Sequence, residues 1–219
     1  MNEIAALRSA VHSYLSSVAR ALASVSEEEV AALAQLLLEA RRRRGTLYLL
    51  GNGGSAATAS HAASDLAKTA TPPGARPLRA VNLADNVALL TAWANDTCYE
   101  DVFAAQIEQT VRAGDIVLGL SGSGDSENVL RAMEAGRRRG ATAIGLAGFA
   151  GGRLRQVADR CLVVEADWHG VIEDVHLSIM HALTEALRRD PAGLGITAEA
   201  AASPVRGGDG DRPQDGDGT

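Results

Sequence analysis

Apolar positions in the first forty-four residues repeat with the period of a helix. Leu7, Val11, Leu15 and Val18 recur at three-to-four spacing and make one apolar stripe. Ser26 followed by Glu27, Glu28 and Glu29 reads as an N-cap with an acidic first turn, and Val30, Leu33, Leu36, Leu37 and Leu38 carry a second helix. From Thr46 the rhythm changes. Short apolar runs predict strands at 47–50, 78–81, 116–120, 143–146 and 160–164. Helix-period segments fall between them at 55–68, 86–95, 102–111, 126–139 and 172–188, with a further short helix at 151–157. Strands alternating with helices imply an α/β fold with a mostly parallel sheet, covered on both faces.

This divides the chain into three parts. Residues 1–44 form a helical pair, expected to pack on a neighbouring subunit in an oligomer. Residues 45–190 form the α/β domain. The pattern fades in residues 191–219, which turn rich in Gly, Asp and Pro; such a tail is expected to be disordered because it buries too little apolar surface.

Composition narrows the function. Of 219 residues 46% are hydrophobic but only 3% aromatic, so the core must be built from Ala, Leu, Val and Ile. The net charge of −6 leaves no electrostatic footprint for nucleic acid. Arg41-Arg42-Arg43-Arg44 closes a helical pattern, where cations favour the helix dipole, and reads as a solvated helix end. Cys98 and Cys161 have neither disulfide nor metal spacing, which fits a reducing cytoplasm. No stretch approaches the ~20 apolar residues of a membrane span, and no signal peptide is visible.

Candidate chemistry begins with two Ser/Gly loops. Gly51-Asn52-Gly53-Gly54-Ser55 follows the first predicted strand, and Ser121-Gly122-Ser123-Gly124-Asp125-Ser126 follows the third. A strand, a small-residue turn and a helix together aim free backbone N–H groups at an anion. Ligands of open α/β sheets bind outside the carboxyl ends of the strands, where both loops fall. The pair points to a phosphorylated small molecule.

Two helices carry the reactive side chains. His61 and Asp65, four apart, share a face after the first loop. The last long helix holds Glu173, Asp174, His176 and His181. Glu173 and His181, eight apart, lie within about a quarter turn of one face. His176 is either their neighbour or a buried structural histidine. Where the two helices meet, His61, Asp65, Glu173 and His181 suit a divalent metal such as zinc, or proton transfer between adjacent carbons.

Taken together, Gly51-Asn52-Gly53-Gly54-Ser55 with His61, Ala94-Asn95-Asp96, Ser121-Gly122-Ser123-Gly124-Asp125-Ser126, and Ile172-Glu173-Asp174-Val175-His176 with His181 resemble the sugar isomerase (SIS) domain. Within it they resemble the phosphoheptose isomerases, over about residues 4 to 189. The resemblance implies a flavodoxin-like domain, with a five-stranded parallel sheet between helices, and a homotetramer with active sites between subunits. It implies conversion of sedoheptulose 7-phosphate to a D-glycero-D-heptose 7-phosphate, of manno or another C2 configuration such as altro, through a cis-enediol.

Residue by residue, Ser121, Ser123 and Ser126 match the phosphate-binding positions. Gly122 stands where a threonine hydroxyl is common. Asn52, Gly53 and Ser55 match the substrate-contacting first loop, and Asp96 a position beside the substrate. His61 and His181 match metal and acid–base histidines. Asp65 replaces a glutamate, and Glu173 replaces a substrate- and metal-contacting glutamine. The implied metal set is His61, Asp65, Glu173 and His181, with Glu173 or Asp65 as base and His181 as its partner. Opposite-face proton delivery from the swapped carboxylate would change the epimer. Two other readings are a non-catalytic SIS regulator that binds the replication initiator, which the retained His61 and His181 disfavour, and an isomerase of amino-sugar phosphates.

Overall fold

The structure, a computed structural model, describes residues 2–190. The expected tail at 191–219 lies outside the described residues.

Five parallel strands form one sheet in the order β2-β1-β3-β4-β5. They are β1 (Thr46–Gly51), β2 (Arg79–Asn82), β3 (Ile116–Ser121), β4 (Thr142–Gly148) and β5 (Arg160–Val164). The helices are α1 (Glu3–Ala23), α2 (Glu27–Arg42), α3 (Gly54–Ser64), α4 (Val87–Asp96), α5 (Ala104–Thr110), α6 (Glu127–Arg138), α7 (Leu154–Val157) and α8 (His169–Arg188). This is the flavodoxin-like order the resemblance implies.

Alternation along the strands explains the layers. Leu47 and Leu49 of β1 and Ile116, Leu118 and Leu120 of β3 enter one core with Leu33 and Leu37 of α2, Ala59 and Ala62 of α3, and Ile172, Val175 and Ile179 of α8. Tyr48, Leu50 and Val117 point the other way, into a second core with Phe103, Ile107, Val129 and Met133. Near-continuous apolar strands are what a sheet buried on both faces requires.

The helical pair divides its loyalties. The inner face of α2 belongs to the chain's own core. The stripe of α1 is split: Val18 packs against the same core, whereas Ile4, Leu7, Val11 and Leu15 are all about 60% exposed. The arginine run also differs from its reading as a solvated helix end. Arg41 is buried and donates to Asp190 at 3.1 Å and to the carbonyls of Ala70 and Leu187, both at 3.4 Å. It ties the end of α2 to the end of α8. A buried cation needs this kind of partner set to offset its lost hydration.

The order 2-1-3 places a topological switch between β1 and β3, where a crevice opens at the carboxyl ends of the strands. Both Ser/Gly loops flank it.

Candidate active site

The second loop is shaped by its own hydroxyls. Ser121, buried at the end of β3, donates to Ser126 Oγ at 3.2 Å and accepts the Gly124 N–H at 3.1 Å. Ser123 Oγ accepts the Asp125 N–H at 3.2 Å. Gly124 has φ 72, and a side chain there would run into the Gly151 carbonyl. Ser126 occupies the N-cap of α6, yet its side chain makes no capping bond, so its hydroxyl remains available. Loop amides, three serines and a helix N-terminus lie together in this loop, the kind of donor set an anion takes.

Acidic neighbours of this loop are neutralised. Arg153 holds Glu127 at 3.1 Å and Asp125 at 3.4 Å, and Arg131 holds Glu127 at 3.1 Å. Hydrogen bonds from Arg131 and then Arg153 lower the Glu127 pKa, which keeps it an ion-paired carboxylate.

The first loop is fixed to the second by an amide pair. Asn52 Nδ2 donates to Asn128 Oδ1 at 2.8 Å, and Asn128 Nδ2 returns a bond to Asn52 Oδ1 at 2.9 Å. Tyr99 Oη also donates to Asn52 Oδ1, at 2.8 Å. Asn128 and Tyr99 escaped the sequence reading. A buried asparagine in the first turn of α6 is a detectable oddity, but its partner is 76 residues away. Ser55 is buried in the first turn of α3, while Gly53 is exposed with φ 54. Asp96 ends α4, exposed, and accepts from Asn95 Nδ2 at 2.9 Å; no bond joins it to either loop.

Small residues of α3 let it lie close against α8, which brings His61, Asp65 and His181 together. His61 Nε2 and His181 Nε2 stand 3.3 Å apart, and Asp65 Oδ2 is 3.4 Å from the first and 3.6 Å from the second. The imidazoles meet edge to face, 4.9 Å between centroids. Asp65 opens a single π-helical turn, Asp65–Thr69, and its other oxygen accepts from Thr69 Oγ1 at 3.2 Å. Such π turns recur at functional sites because they re-aim a side chain within a helix.

Glu173 is not in this cluster. Of the four expected metal ligands, the structure groups His61, Asp65 and His181 and leaves Glu173 apart. Eight residues of helix separate Glu173 from His181 by about 12 Å along the axis. The Glu173 carboxylate lies instead over the start of α3, where a Cβ on Gly54 would come within 2.3 Å of its Oε2. There it faces the positive end of the α3 dipole. Because the obstacle is the tip of a flexible side chain, Gly54→Ala should swing Glu173 aside without unfolding the chain. The expected result is a fall in kcat of at least about tenfold, since catalytic geometry tolerates displacements of less than 1 Å, with an unchanged thermal midpoint. Paired kinetic and melting measurements check it.

His176 is the structural alternative. It is fully buried, with Nε2 at 3.1 Å from the Ala147 carbonyl, and burial depresses its pKa to about 4. It stays neutral and does not reach the site.

The structure therefore combines an open α/β sheet, a Ser/Gly loop at the carboxyl end of β3 and a His/Asp/His cluster between α3 and α8. Residues 13–148 match the SIS domain family. Probable phosphoheptose isomerase of Thermoplasma acidophilum is 35% identical over 170 residues, covering 78% of this chain and 93% of that protein. Phosphoheptose isomerase of a Nitratiruptor species is 41% identical over 148 residues, covering 68% and 79%. Among solved structures, phosphoheptose isomerase GmhA from Neisseria gonorrhoeae superposes with TM-score 0.77 at 30% identity, covering 83% of this chain and 98% of that one. The chain belongs to the SIS-domain family, in its phosphoheptose isomerase branch.

Proposed function

We propose that this protein interconverts sedoheptulose 7-phosphate and a D-glycero-D-heptose 7-phosphate. The observation that carries the reading is the convergence of His61, Asp65 and His181 between α3 and α8, with the Glu173 carboxylate over the start of α3. The cradle of Ser121, Ser123 and Ser126 takes the phosphate, and the first loop, with Asn52 and Ser55, takes the sugar. Glu173 removes the C1 proton of the ketose and, after exchange with solvent, delivers a proton to C2, through a cis-enediol. We assign the proton transfer between the two oxygens to His181, whose side chain must then reach along α8 toward Glu173 from its place beside His61 and Asp65.

The donor set also suits zinc. Ligand bonds of about 2.0–2.1 Å in a tetrahedron place donor atoms roughly 3.3 Å apart, and the three nitrogen and oxygen atoms lie 3.3–3.6 Å apart. His61, Asp65 and His181 would hold the ion. A bound divalent metal would supply Lewis-acid polarisation of the substrate oxygens.

Two apolar surfaces support assembly into a homotetramer. One is the exposed part of the α1 stripe. The other is α4, Val-Ala-Leu-Leu-Thr-Ala-Trp-Ala-Asn-Asp, in which no residue is buried. Val87 and Leu89 are 66% and 39% exposed. Contiguous apolar patches of this kind mark interfaces. Assembly would also give Asp96, at the end of α4, a site to face. The double substitution Leu7→Glu, Val11→Glu is expected to shift the protein to a smaller species in light scattering; an unchanged mass excludes α1 from the interface. Among the described residues no helix is long and apolar enough to cross a membrane, and both Cys98 and Cys161 are free thiols. These features suit a cytoplasmic enzyme. The activity is tested by incubating the protein with C5, C6 and C7 ketose phosphates; conversion of the C7 substrate alone is expected. Proton NMR of the product reads its C2 configuration.

A further inference from the structure

Gly122 is the glycine of the second loop that no turn requires, since Gly124 alone of the two has a positive φ. The space beside it is occupied. A Cβ built on Gly122 would lie 3.3 Å from His169 Cδ2 and 3.7 Å from His169 Nε2, so the imidazole fills the volume a side chain at 122 would take. His169 is the first residue of α8 and is exposed. Among the described residues its ring nitrogens find no hydrogen-bond partner.

The ring is nevertheless held. Phe149 backs it at 5.0 Å between centroids with a 59° tilt. Phe149 itself has φ 50, in the left-handed region that a bulky side chain rarely enters. Phe149 lies in the turn closed by the Gly151 N–H on the Gly148 carbonyl at 2.8 Å, and the Gly148 N–H donates to the Gly122 carbonyl at 2.9 Å, which ties this turn to the second loop. A strained backbone position that persists beside a binding loop is characteristically there for the site it shapes. Here it sets an aromatic face behind an unpartnered imidazole at the mouth of the anion cradle.

We propose that His169 is a phosphate-binding residue of this isomerase: its imidazole supplies, from the start of α8, the donor that Gly122 cannot. An imidazole N–H, like a hydroxyl, donates a charge-assisted bond to an anionic phosphate oxygen. A methyl at 122 would press on the ring by a few tenths of an ångström, and a longer side chain would displace it. This rests on the reading of the second loop as the phosphate site.

The test separates the two. His169→Ala is expected to raise KM for sedoheptulose 7-phosphate, and the Kd for inorganic phosphate measured by calorimetry, by about the same tenfold factor, while kcat falls much less. Gly122→Thr in the His169→Ala background restores a hydroxyl to the emptied volume and should recover most of the loss. Gly122→Thr alone should weaken phosphate binding by pushing the ring out. Unchanged KM and phosphate Kd in His169→Ala would overturn the assignment, as would a loss confined to kcat. If the unmodified protein bound phosphate through His169 but turned over no ketose phosphate, the isomerase reading would fail and the residue assignment would stand.

Discussion

Replacing His181 by alanine is expected to lower kcat by about a thousandfold while leaving the fold intact. General acid–base groups contribute roughly 10²–10⁴ in rate, and His181 also supplies one of the three clustered donor atoms. Its side chain is 50% exposed, so truncation opens no cavity, and the stability change should stay within about 0.5 kcal/mol. The same substitution should strip zinc from protein loaded with the ion, because two remaining donors hold it poorly. Metal content by atomic emission, kcat and the melting midpoint check the three parts. Retained turnover in metal-depleted His181→Ala protein would remove the cluster from the reaction.

The second large effect belongs to Glu173→Gln. Glutamine keeps the size of the side chain and its seat against Gly54; it removes only the basic carboxylate. If Glu173 abstracts the C1 proton, kcat should fall by about 10²–10⁴, with KM and zinc content close to those of the parent. Asp65→Asn should instead reduce zinc content together with rate, since Asp65 Oδ2 faces both imidazoles. The contrast separates the two carboxylates, whose roles the sequence leaves interchangeable. Equal loss of zinc in both variants would return Glu173 to the metal set.

Much of this was legible in the chain. All five strands fall where apolar runs end in turn residues, and the bounds of β5 coincide with the expectation. The Ser/Gly loops stood out because their chemistry is local: hydroxyls and amides within six residues, at the carboxyl ends of β1 and β3 as expected. Failures came where the deciding partner is distant. Arg41 looked like one of four solvated arginines, and nothing near it in sequence shows that Asp190, 149 residues on, buries it. Asn52 pairs with Asn128, and only the β1–β3 adjacency brings them together. Helical spacing placed Glu173 and His181 on one face of α8 but reports no height along it, and the structure groups only His61, Asp65 and His181. The π turn at Asp65 follows an otherwise regular helical pattern, and composition gives no sign of it. His169 attracted no attention because it lies outside the expected helix, which begins at 169 in the structure instead of 172.

The central claim is that one crevice joins a phosphate grip to proton transfer between adjacent carbons. The most direct measurement is NMR of sedoheptulose 7-phosphate incubated with the protein in D2O. The account predicts an aldoheptose 7-phosphate with deuterium at C2. An undeuterated product would contradict the enediol route through an exchangeable base, and an unconverted ketose would contradict the function.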